Sequence, residues 1–217
     1  METARETIMK NKGMLLIISG CAGSGKGTVI SELFKISDRF VYSVSMTTRK
    51  PRPGEINGKN YFFVTKEEFL SEIENDMFLE YAEYCDNFYG TPKKPIDDAI
   101  NNGKIVILEI ETDGAMQIMQ KENNYISIFL APPNYTTLEY RLRNRDTESE
   151  DVIIKRMEKA KGEIKLAENY DEIVINYNDM AKDTAETILA ICTKNEPKKH
   201  ISYVNNKTEF INNFLNN

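Results

Sequence analysis

The chain has 217 residues, of which 41% are hydrophobic, and a formal net charge of −6. This length can form the core of one compact domain, and the acidic balance argues against a general affinity for nucleic acid, so any phosphate site must be a local cluster of Arg and Lys. Three scattered cysteines, one histidine and the short apolar runs argue against a structural zinc site and a membrane span, and favour a reducing, cytoplasmic setting.

A glycine-rich segment follows the first apolar run. Residues 14–18 predict a buried strand, and residues 29–34 have the spacing of an amphipathic helix. Glycines between them allow a tight turn whose N–H groups point inward, the helix adds its positive end, and Lys26 adds a full charge. Strand, loop and helix together predict a cradle for a nucleoside triphosphate, whereas a glycine-rich linker is the alternative. The segment reads Gly20-Cys21-Ala22-Gly23-Ser24-Gly25-Lys26-Gly27-Thr28.

A basic segment follows a short predicted strand at 40–44. Two prolines and a glycine in residues 45–55 predict an irregular loop. Arg49, Lys50 and Arg52 on such a loop favour a second anion site, because guanidinium groups grip phosphate oxygens at two points. From this segment alone, a solvated basic loop is an equal alternative.

The next elements are short and aromatic. Residues 61–64 predict a strand, and Thr65 with Glu68 predicts a capping box that opens a helix to about residue 75. Residues 78–84 alternate like a strand exposed on one side, and residues 87–91 resemble a turn that leads into another strand. The predicted buried face of the helix consists of Phe69, Leu70 and Ile73.

Strands and helices alternate in the second half of the chain. Residues 105–111 and 125–130 are continuous apolar runs typical of buried parallel strands, and residues 173–176 form a shorter one. A second capping box, Thr147 with Glu150, predicts the start of a long helix. The alternation predicts a doubly wound parallel sheet. The predicted helices span 96–102, 113–121, 135–143, about 150–167 and 184–192.

The composition changes to asparagine and lysine beyond residue 193. Apolar residues at 210, 211, 214 and 215 would share one face of a helix. We expect a short helix that docks on the core, and a tail that binds a partner is the alternative.

Several motifs occur in register along the chain: the loop 20–28, residues 45–55 with Gly58 and Tyr61, Tyr89-Gly90-Thr91, Pro132-Pro133, Arg141-Leu142 and residues 145–148. Together they resemble the guanylate kinase family from about residue 13 to residue 191. The resemblance implies an α/β, P-loop NTPase-type fold, in which a doubly wound parallel five-stranded sheet carries a small mixed α/β GMP-binding subdomain and a mobile lid. The implied parts are extensions at 1–12 and 194–217 and a domain at 13–193, with core 13–44, 92–134 and 157–193, GMP-binding region 45–91 and lid 135–156.

The resemblance implies phosphoryl transfer from ATP to GMP with Mg²⁺, giving ADP and GDP in purine nucleotide metabolism. The implied partners are these two nucleotides, without nucleic acid or membrane, for a cytoplasmic monomer or homodimer. One alternative is a non-catalytic scaffold of the same fold, which the intact phosphate loop disfavours. Another is a kinase for a different nucleoside monophosphate, which the pair Glu80 and Thr91 disfavours, because a carboxylate suits the N1–H and amine donors of guanine.

The resemblance also assigns the site residues. Because phosphoryl transfer depends on positioned positive charge, it implies catalytic roles for Lys26, Arg49, Arg141, Arg145 and Arg156. The ATP phosphates would contact Gly20, Gly23, Ser24, Gly25, Lys26, Gly27 and Thr28, and the adenine would lie near Asn176. GMP would contact Ser45, Arg49, Arg52, Tyr61, Glu80, Tyr89, Thr91 and Glu111. Mg²⁺ would be ordered by Thr28 and Glu109, partly through water.

Several residues depart from the family pattern. Glu109 and Glu111 replace aspartates, and the extra methylene shifts each carboxylate. Cys21 lies near Lys26 and a helix N-terminus, which predicts either a thiolate whose oxidation would switch off nucleotide binding or a buried, inert thiol. The other departures are Ala22 for serine, Asp113 for glutamine, Asp146 for glycine and Tyr177 for aspartate.

Overall fold

The computed structural model describes residues 13–144, 149–195, 197 and 200–216. These residues divide into two compact units, and each unit is built from separate stretches of the chain. Unit one contains residues 13–15, Val41–Leu108 and Asp113–Tyr125. Unit two contains Leu16–Phe40, Glu109–Thr112 and residues from Ile126 onward.

The larger sheet has five parallel strands, in the order β2-β7-β1-β8-β9. Its strands β8 and β9 pair in register from Ile128 with Glu172 to Ala131 with Ile175. The central strands are apolar and almost completely buried, which is why they read as continuous apolar runs. The predicted parallel sheet is therefore confirmed. Its strands are β1 (Met14–Ser19), β2 (Phe40–Tyr42), β7 (Ile105–Glu109), β8 (Tyr125–Ala131) and β9 (Glu172–Ile175).

A second sheet lies in unit one, with the order β4-β3-β6-β5. Strands β3 and β4 are parallel, whereas β6 is antiparallel to both β3 and β5. The prediction of an entirely irregular segment at 45–55 is wrong at two residues, because Met46–Thr47 pairs with β4 and β6 before the first proline. The strands are β3 (Met46–Thr47), β4 (Phe62–Phe63), β5 (Phe78–Tyr84) and β6 (Asn87–Pro92).

The helices follow the predicted order. A 3₁₀ turn at Ala167–Asn169 extends the longest of them. The helices are α1 (Lys26–Ile36), α2 (Lys66–Glu74), α3 (Lys93–Asn101), α4 (Thr112–Lys121), α5 (Tyr135–Arg143), α6 (Glu150–Leu166), α7 (Ala181–Thr193) and α8 (Lys207–Asn216).

Two helix starts test the sequence patterns. The capping box of α2 is confirmed, since the Thr65 side chain accepts from the backbone N–H of Glu68 and the Glu68 side chain accepts from that of Thr65. The second capping box is wrong, because Ser149 is the N-cap of α6. Thr147 lies outside the described residues. The predicted burial of Leu70 is also wrong, because 39% of it is exposed on the outer side of α2.

The C-terminal segment packs on unit two. Ile211 and Phe214 of α8 are buried, and the ring of Phe214 meets that of Tyr135 edge to face at 6.1 Å. The predicted docked helix is therefore confirmed. Within the described residues, the structure contains no helix long and apolar enough to cross a membrane.

Candidate active site

The phosphate loop joins β1 to α1 in a backbone conformation that only glycine adopts readily. Gly20 and Gly25 have φ angles of 150° and 89°. A Cβ atom on Gly20 would lie 2.0 Å from the carbonyl oxygen of Leu130, and one on Gly25 would lie 2.3 Å from Nδ2 of Asn176. The glycines therefore supply both the turn and the space that the neighbouring strands require.

Lys26 begins α1 and folds back over the loop. Its Nζ donates to the carbonyl oxygens of Gly20 at 2.5 Å and Cys21 at 3.4 Å. Burial lowers the pKa of Lys26, and the negative charge of Glu109 opposes that shift. The buried hydroxyl of Ser24, in the same loop, has no hydrogen-bond partner in the described part of the chain. The ammonium group of Lys26 is thus bound by two neutral carbonyl oxygens, and anionic oxygens of a ligand could replace them.

Lys26 lines a cavity of about 560 Å³ in unit two. Glu111 accepts from Lys159 Nζ at 2.8 Å, and Oε1 of Glu163 lies 3.7 Å from the same Nζ. Burial raises the pKa of Glu163, while Lys159 and Lys26 act against that shift. The cavity therefore carries both cations and carboxylates. It is lined by Gly20, Ala22, Lys26, Glu109, Ile110, Glu111, Arg156, Lys159 and Glu163.

Arg156, a predicted catalytic residue, lines this cavity together with Lys159 and Glu163, which were not predicted. These three residues stand three and four positions apart on α6, so they share one face of the helix. That spacing would have revealed the other two once Arg156 was a candidate.

A second cavity of about 520 Å³ lies on the other flank of the loop. Arg141 donates to the carbonyl oxygen of Asn176 at 2.7 Å and to Oδ1 of Asn178 at 2.8 Å and 3.1 Å. It also reaches the carbonyl oxygens of Gly23 and Ser24, both at 3.4 Å. Burial lowers the pKa of Arg141. The guanidinium group is thus committed to backbone and amide oxygens beside Asn176, and Arg141 does not line the cavity of Lys26 and Arg156.

The residues predicted to order Mg²⁺ are exposed oxygen donors. Thr28 lines the second cavity and Glu109 the first. Within the described residues, no three His, Cys, Asp or Glu side chains are grouped so that they could hold a metal ion. A hydroxyl and one carboxylate suit Mg²⁺, which keeps several waters and takes other ligands from substrate phosphates.

Unit one brings together three of the residues predicted to bind an acceptor phosphate. The Cζ atom of Arg49 lies 5.4 Å from the ring centroid of Tyr61, and the ring of Tyr61 meets that of Tyr89 edge to face at 6.1 Å. Glu55, which the sequence reasoning missed, accepts from Nη1 and Nη2 of Arg49 at 3.0 Å and 2.9 Å. It also accepts from the backbone N–H of Arg52 at 2.6 Å. This pairing raises the pKa of Arg49 and lowers that of Glu55.

Glu80 and Thr91 face each other across β5 and β6. The Thr91 hydroxyl donates to Oε1 of Glu80 at 2.6 Å, and Thr91 is only 1% exposed. Burial raises the pKa of Glu80, and the hydrogen bond from Thr91 opposes that shift. The pair presents a half-buried carboxylate whose remaining lone pairs can accept hydrogen bonds from a ligand. Of the other residues predicted to contact guanine, Ser45 precedes β3, and Glu111 lies in unit two beside Lys159.

The structure bears differently on the predictions for Cys21 and Arg145. The thiolate hypothesis for Cys21 is wrong, because burial raises the pKa of its thiol to about 12 and the side chain is 0% exposed. The alternative of a buried, inert thiol therefore holds. Arg145, expected in the lid, lies outside the described residues.

Comparisons with known proteins agree with this geometry. A family model described as guanylate kinase matches residues 12–193. Curated relatives named guanylate kinase come from Mesoplasma florum, 52% identical over 88% of this chain, and from Lactiplantibacillus plantarum, 52% identical over 84% of it. The chain spans 66% and 88% of their respective lengths. A crystal structure of guanylate kinase from Anaplasma phagocytophilum is 33% identical, with a TM-score of 0.61, over 93% of this chain and 94% of that one.

Proposed function

The chain belongs to the guanylate kinase family, and on that premise we propose that it transfers the terminal phosphoryl group of ATP to GMP. The observation that carries the proposal is Lys26, held in an intact phosphate loop and lining one cavity with Arg156 and Glu109. A scaffold that only binds peptides needs neither a strained glycine loop nor a half-buried lysine beside it. The catalytic interpretation explains both features.

The donor phosphates bind to the loop between β1 and α1. Backbone N–H groups and the N-terminus of α1 attract the phosphates, and the ammonium group of Lys26 exchanges its carbonyl partners for phosphate oxygens. Since Lys26 is largely withdrawn from water, its charge acts through a medium of low polarity and is more effective there. Asn176 lines the second cavity and donates to the carbonyl oxygen of Ser24 at 2.8 Å, and we assign the adenine to its vicinity.

The acceptor base binds to Glu80 and Thr91. Thr91 holds one carboxylate oxygen of Glu80, so the carboxylate is oriented before a ligand arrives. Guanine offers its N1–H and its amine to such an acceptor, whereas adenine offers an acceptor at N1 and would leave the carboxylate unpaired. The same region supplies Arg49, Arg52, Tyr61 and Tyr89 to the phosphate of GMP.

Transfer itself depends on fixed positive charge. Lys26 and Arg156 stabilise the charge that develops on the transferring group, and we assign a further contribution to Arg145, which lies outside the described residues. Arg141 acts through the loop, because its donors hold the carbonyl oxygens of Gly23 and Ser24. When bound, Mg²⁺ would supply further charge stabilisation; Glu109 at the first cavity and Thr28 at the second would contact it, partly through water. The residues themselves exclude water and align the two nucleotides.

The setting of the reaction is also part of the proposal. The acidic chain acts on small nucleotides, as a monomer or a homodimer, in the cytoplasm. Cys21, Cys85 and Cys192 are free thiols, which is consistent with a reducing compartment.

A coupled assay that follows ADP formation tests the proposal. The purified protein is mixed with ATP, Mg²⁺ and GMP, AMP, CMP or UMP in separate reactions, and a reaction with EDTA tests the metal requirement. Among the four monophosphates, we expect rapid ADP formation only with GMP. We expect no ADP formation when EDTA is present. Absence of ADP with GMP would refute the proposed function, and a faster reaction with another monophosphate would move the assignment to that acceptor.

A further inference from the structure

The C-terminal segment beyond the matched family region covers the outer edge of the larger sheet. Strand β9 is at the end of the strand order, and residues 202–204 lie along it. The backbone N–H of Ile175 donates to the carbonyl oxygen of Ser202 at 2.8 Å, and the N–H of Val204 donates to that of Ile173 at 3.3 Å. The segment therefore fixes the strand whose next residue is Asn176.

Asn176 in turn fixes the phosphate loop. Its Nδ2 donates to the carbonyl oxygen of Ser24 at 2.8 Å, and the same atom occupies the space that a side chain on Gly25 would need. Asn176 is only 6% exposed. A displacement of the Asn176 amide would therefore change the conformation of the phosphate loop.

A buried hydroxyl pair connects the C-terminal segment to Asn176 through side chains. Oγ1 of Thr184, on α7, lies 3.4 Å from Oδ1 of Asn176 and 3.4 Å from Oγ of Ser202. It also lies 2.9 Å from the carbonyl oxygen of Met180 and 3.4 Å from that of Ile175. Thr184 and Ser202 are both 0% exposed.

The number of hydrogens available to Thr184 determines whether Ser202 donates or accepts. Thr184 has one hydroxyl hydrogen, and three of its four oxygen neighbours are the acceptors on Met180, Ile175 and Asn176. The carbonyl oxygen of Met180 is the nearest of the four at 2.9 Å and takes the Thr184 hydrogen, so in the pair of hydroxyls Ser202 is the donor. The donation holds the Thr184 oxygen in place, and this oxygen lies 3.4 Å from Oδ1 of Asn176, so it limits where the Asn176 amide can lie.

We infer that Ser202 is a positioning residue of the ATP site, which acts through Thr184 and Asn176 on the phosphate loop. This inference rests on the proposed function, because it assigns the second cavity to the donor nucleotide. It predicts that the C-terminal segment affects ATP binding selectively. The acceptor residues Glu80 and Thr91 belong to the other unit and have no part in this path.

The test compares Ser202→Ala with Thr184→Val and with the matched control Thr187→Val. Thr187 is also buried on α7, but its hydroxyl donates to the carbonyl oxygen of Asp183 within the helix. If the free energy of one buried hydrogen bond is lost from the ATP complex alone, ATP binding weakens about fivefold. We therefore expect Ser202→Ala and Thr184→Val each to raise the KM for ATP about fivefold, with kcat and the KM for GMP changed less than about twofold. Thr187→Val should leave all three constants unchanged.

Titration calorimetry with ATP and Mg²⁺, without GMP, provides a second readout that does not require turnover. The same fivefold loss should be seen there, and the double variant Ser202→Ala with Thr184→Val should bind no more weakly than Thr184→Val alone, because both remove one path. The inference would be overturned if Ser202→Ala left the ATP affinity unchanged, or if the losses of ATP affinity in the two single variants added up in the double variant. Equal changes in the KM values for ATP and GMP would also overturn it. Wild-type protein that binds ATP but forms no ADP would refute the proposed function instead.

Discussion

The phosphate loop and the acceptor region hold their principal cations in different ways. Lys26 rests on the neutral carbonyl oxygens of Gly20 and Cys21, whereas both guanidinium nitrogens of Arg49 are bound by the carboxylate of Glu55. A phosphate can replace neutral acceptors at small electrostatic cost, but it must compete with a carboxylate for Arg49. The donor site is therefore ready for its anion, and the acceptor site must rearrange when its phosphate binds.

The two regions also differ in what gives them their shape. The donor loop is determined by backbone geometry, because Gly20 and Gly25 adopt φ angles that other residues avoid. The acceptor region is determined by side-chain pairs, Glu80 with Thr91 and Arg49 with Glu55. Substitutions should consequently act through charge and backbone strain in the first region and through hydrogen-bond partners in the second.

The largest effect is expected for Lys26→Met. The variant removes the charge that stabilises the transferring group, and loss of such a contact costs roughly 3 to 5 kcal/mol, or about a 10³-fold fall in kcat/KM. Steady-state kinetics of ADP formation measures it. The matched control is Lys35→Met in the last turn of the same helix, where Lys35 is exposed and pairs with Glu32. Near-normal turnover in Lys26→Met would remove Lys26 from the mechanism.

The second effect concerns the choice of acceptor. In Glu80→Gln an amide presents an N–H₂ group to a guanine that offers only donors on that edge, so kcat/KM for GMP should fall on the order of 10²-fold. The constants for ATP should be unchanged, since the donor site does not include β5. Glu83→Gln, an exposed position on the same strand, is the control. If kcat/KM fell equally for GMP and for ATP, Glu80 would have a structural role.

The donor region, unlike the acceptor pairs, was largely predictable from sequence. It consists of consecutive residues: a strand, the glycines with Lys26, and a helix. A local sequence pattern is therefore enough to predict it. The spacing along α6 indicates that Lys159 and Glu163 share a helical face with Arg156, but no local motif shows that this face lines the cavity. Glu55 was missed because its partner Arg49 is six residues away across an irregular loop.

Two errors in helix starts have local causes. The start of α3 lies at Lys93, three residues earlier than expected, because Pro95 is tolerated in the first turn, where its missing N–H would be unpaired anyway. Ser149, rather than Thr147, is the N-cap of α6, and its side chain makes no capping hydrogen bond, so the hydroxyl residues in the sequence do not indicate where this helix begins.

A third, smaller effect separates backbone strain from charge. Gly25→Ala places a Cβ atom against Asn176 at a positive φ angle, so it should lower the free energy of unfolding by about 1–3 kcal/mol and weaken ATP binding. Gly162→Ala is the matched control, because no atom lies within 4 Å of the added Cβ and the residue is exposed inside α6. That change should stabilise the protein by about 0.5–1 kcal/mol. Chemical denaturation measures both, and equal effects would contradict the strain argument.

The smallest effect is expected for Glu55→Gln, and it depends on pH. Pairing with Arg49 lowers the pKa of Glu55 in the folded protein, so the pair stabilises the fold fully above the unfolded pKa near 4.5 and loses this contribution as the pH falls through the folded value. The melting temperature of Glu55→Gln should lie below that of the wild type at neutral pH, and the difference should shrink as the pH falls below 4.5. Glu74→Gln, an exposed carboxylate at the end of α2, should show no such convergence. A difference for Glu55→Gln that is constant over this pH range would mean that Glu55 contributes by packing, and that Arg49 is held without it.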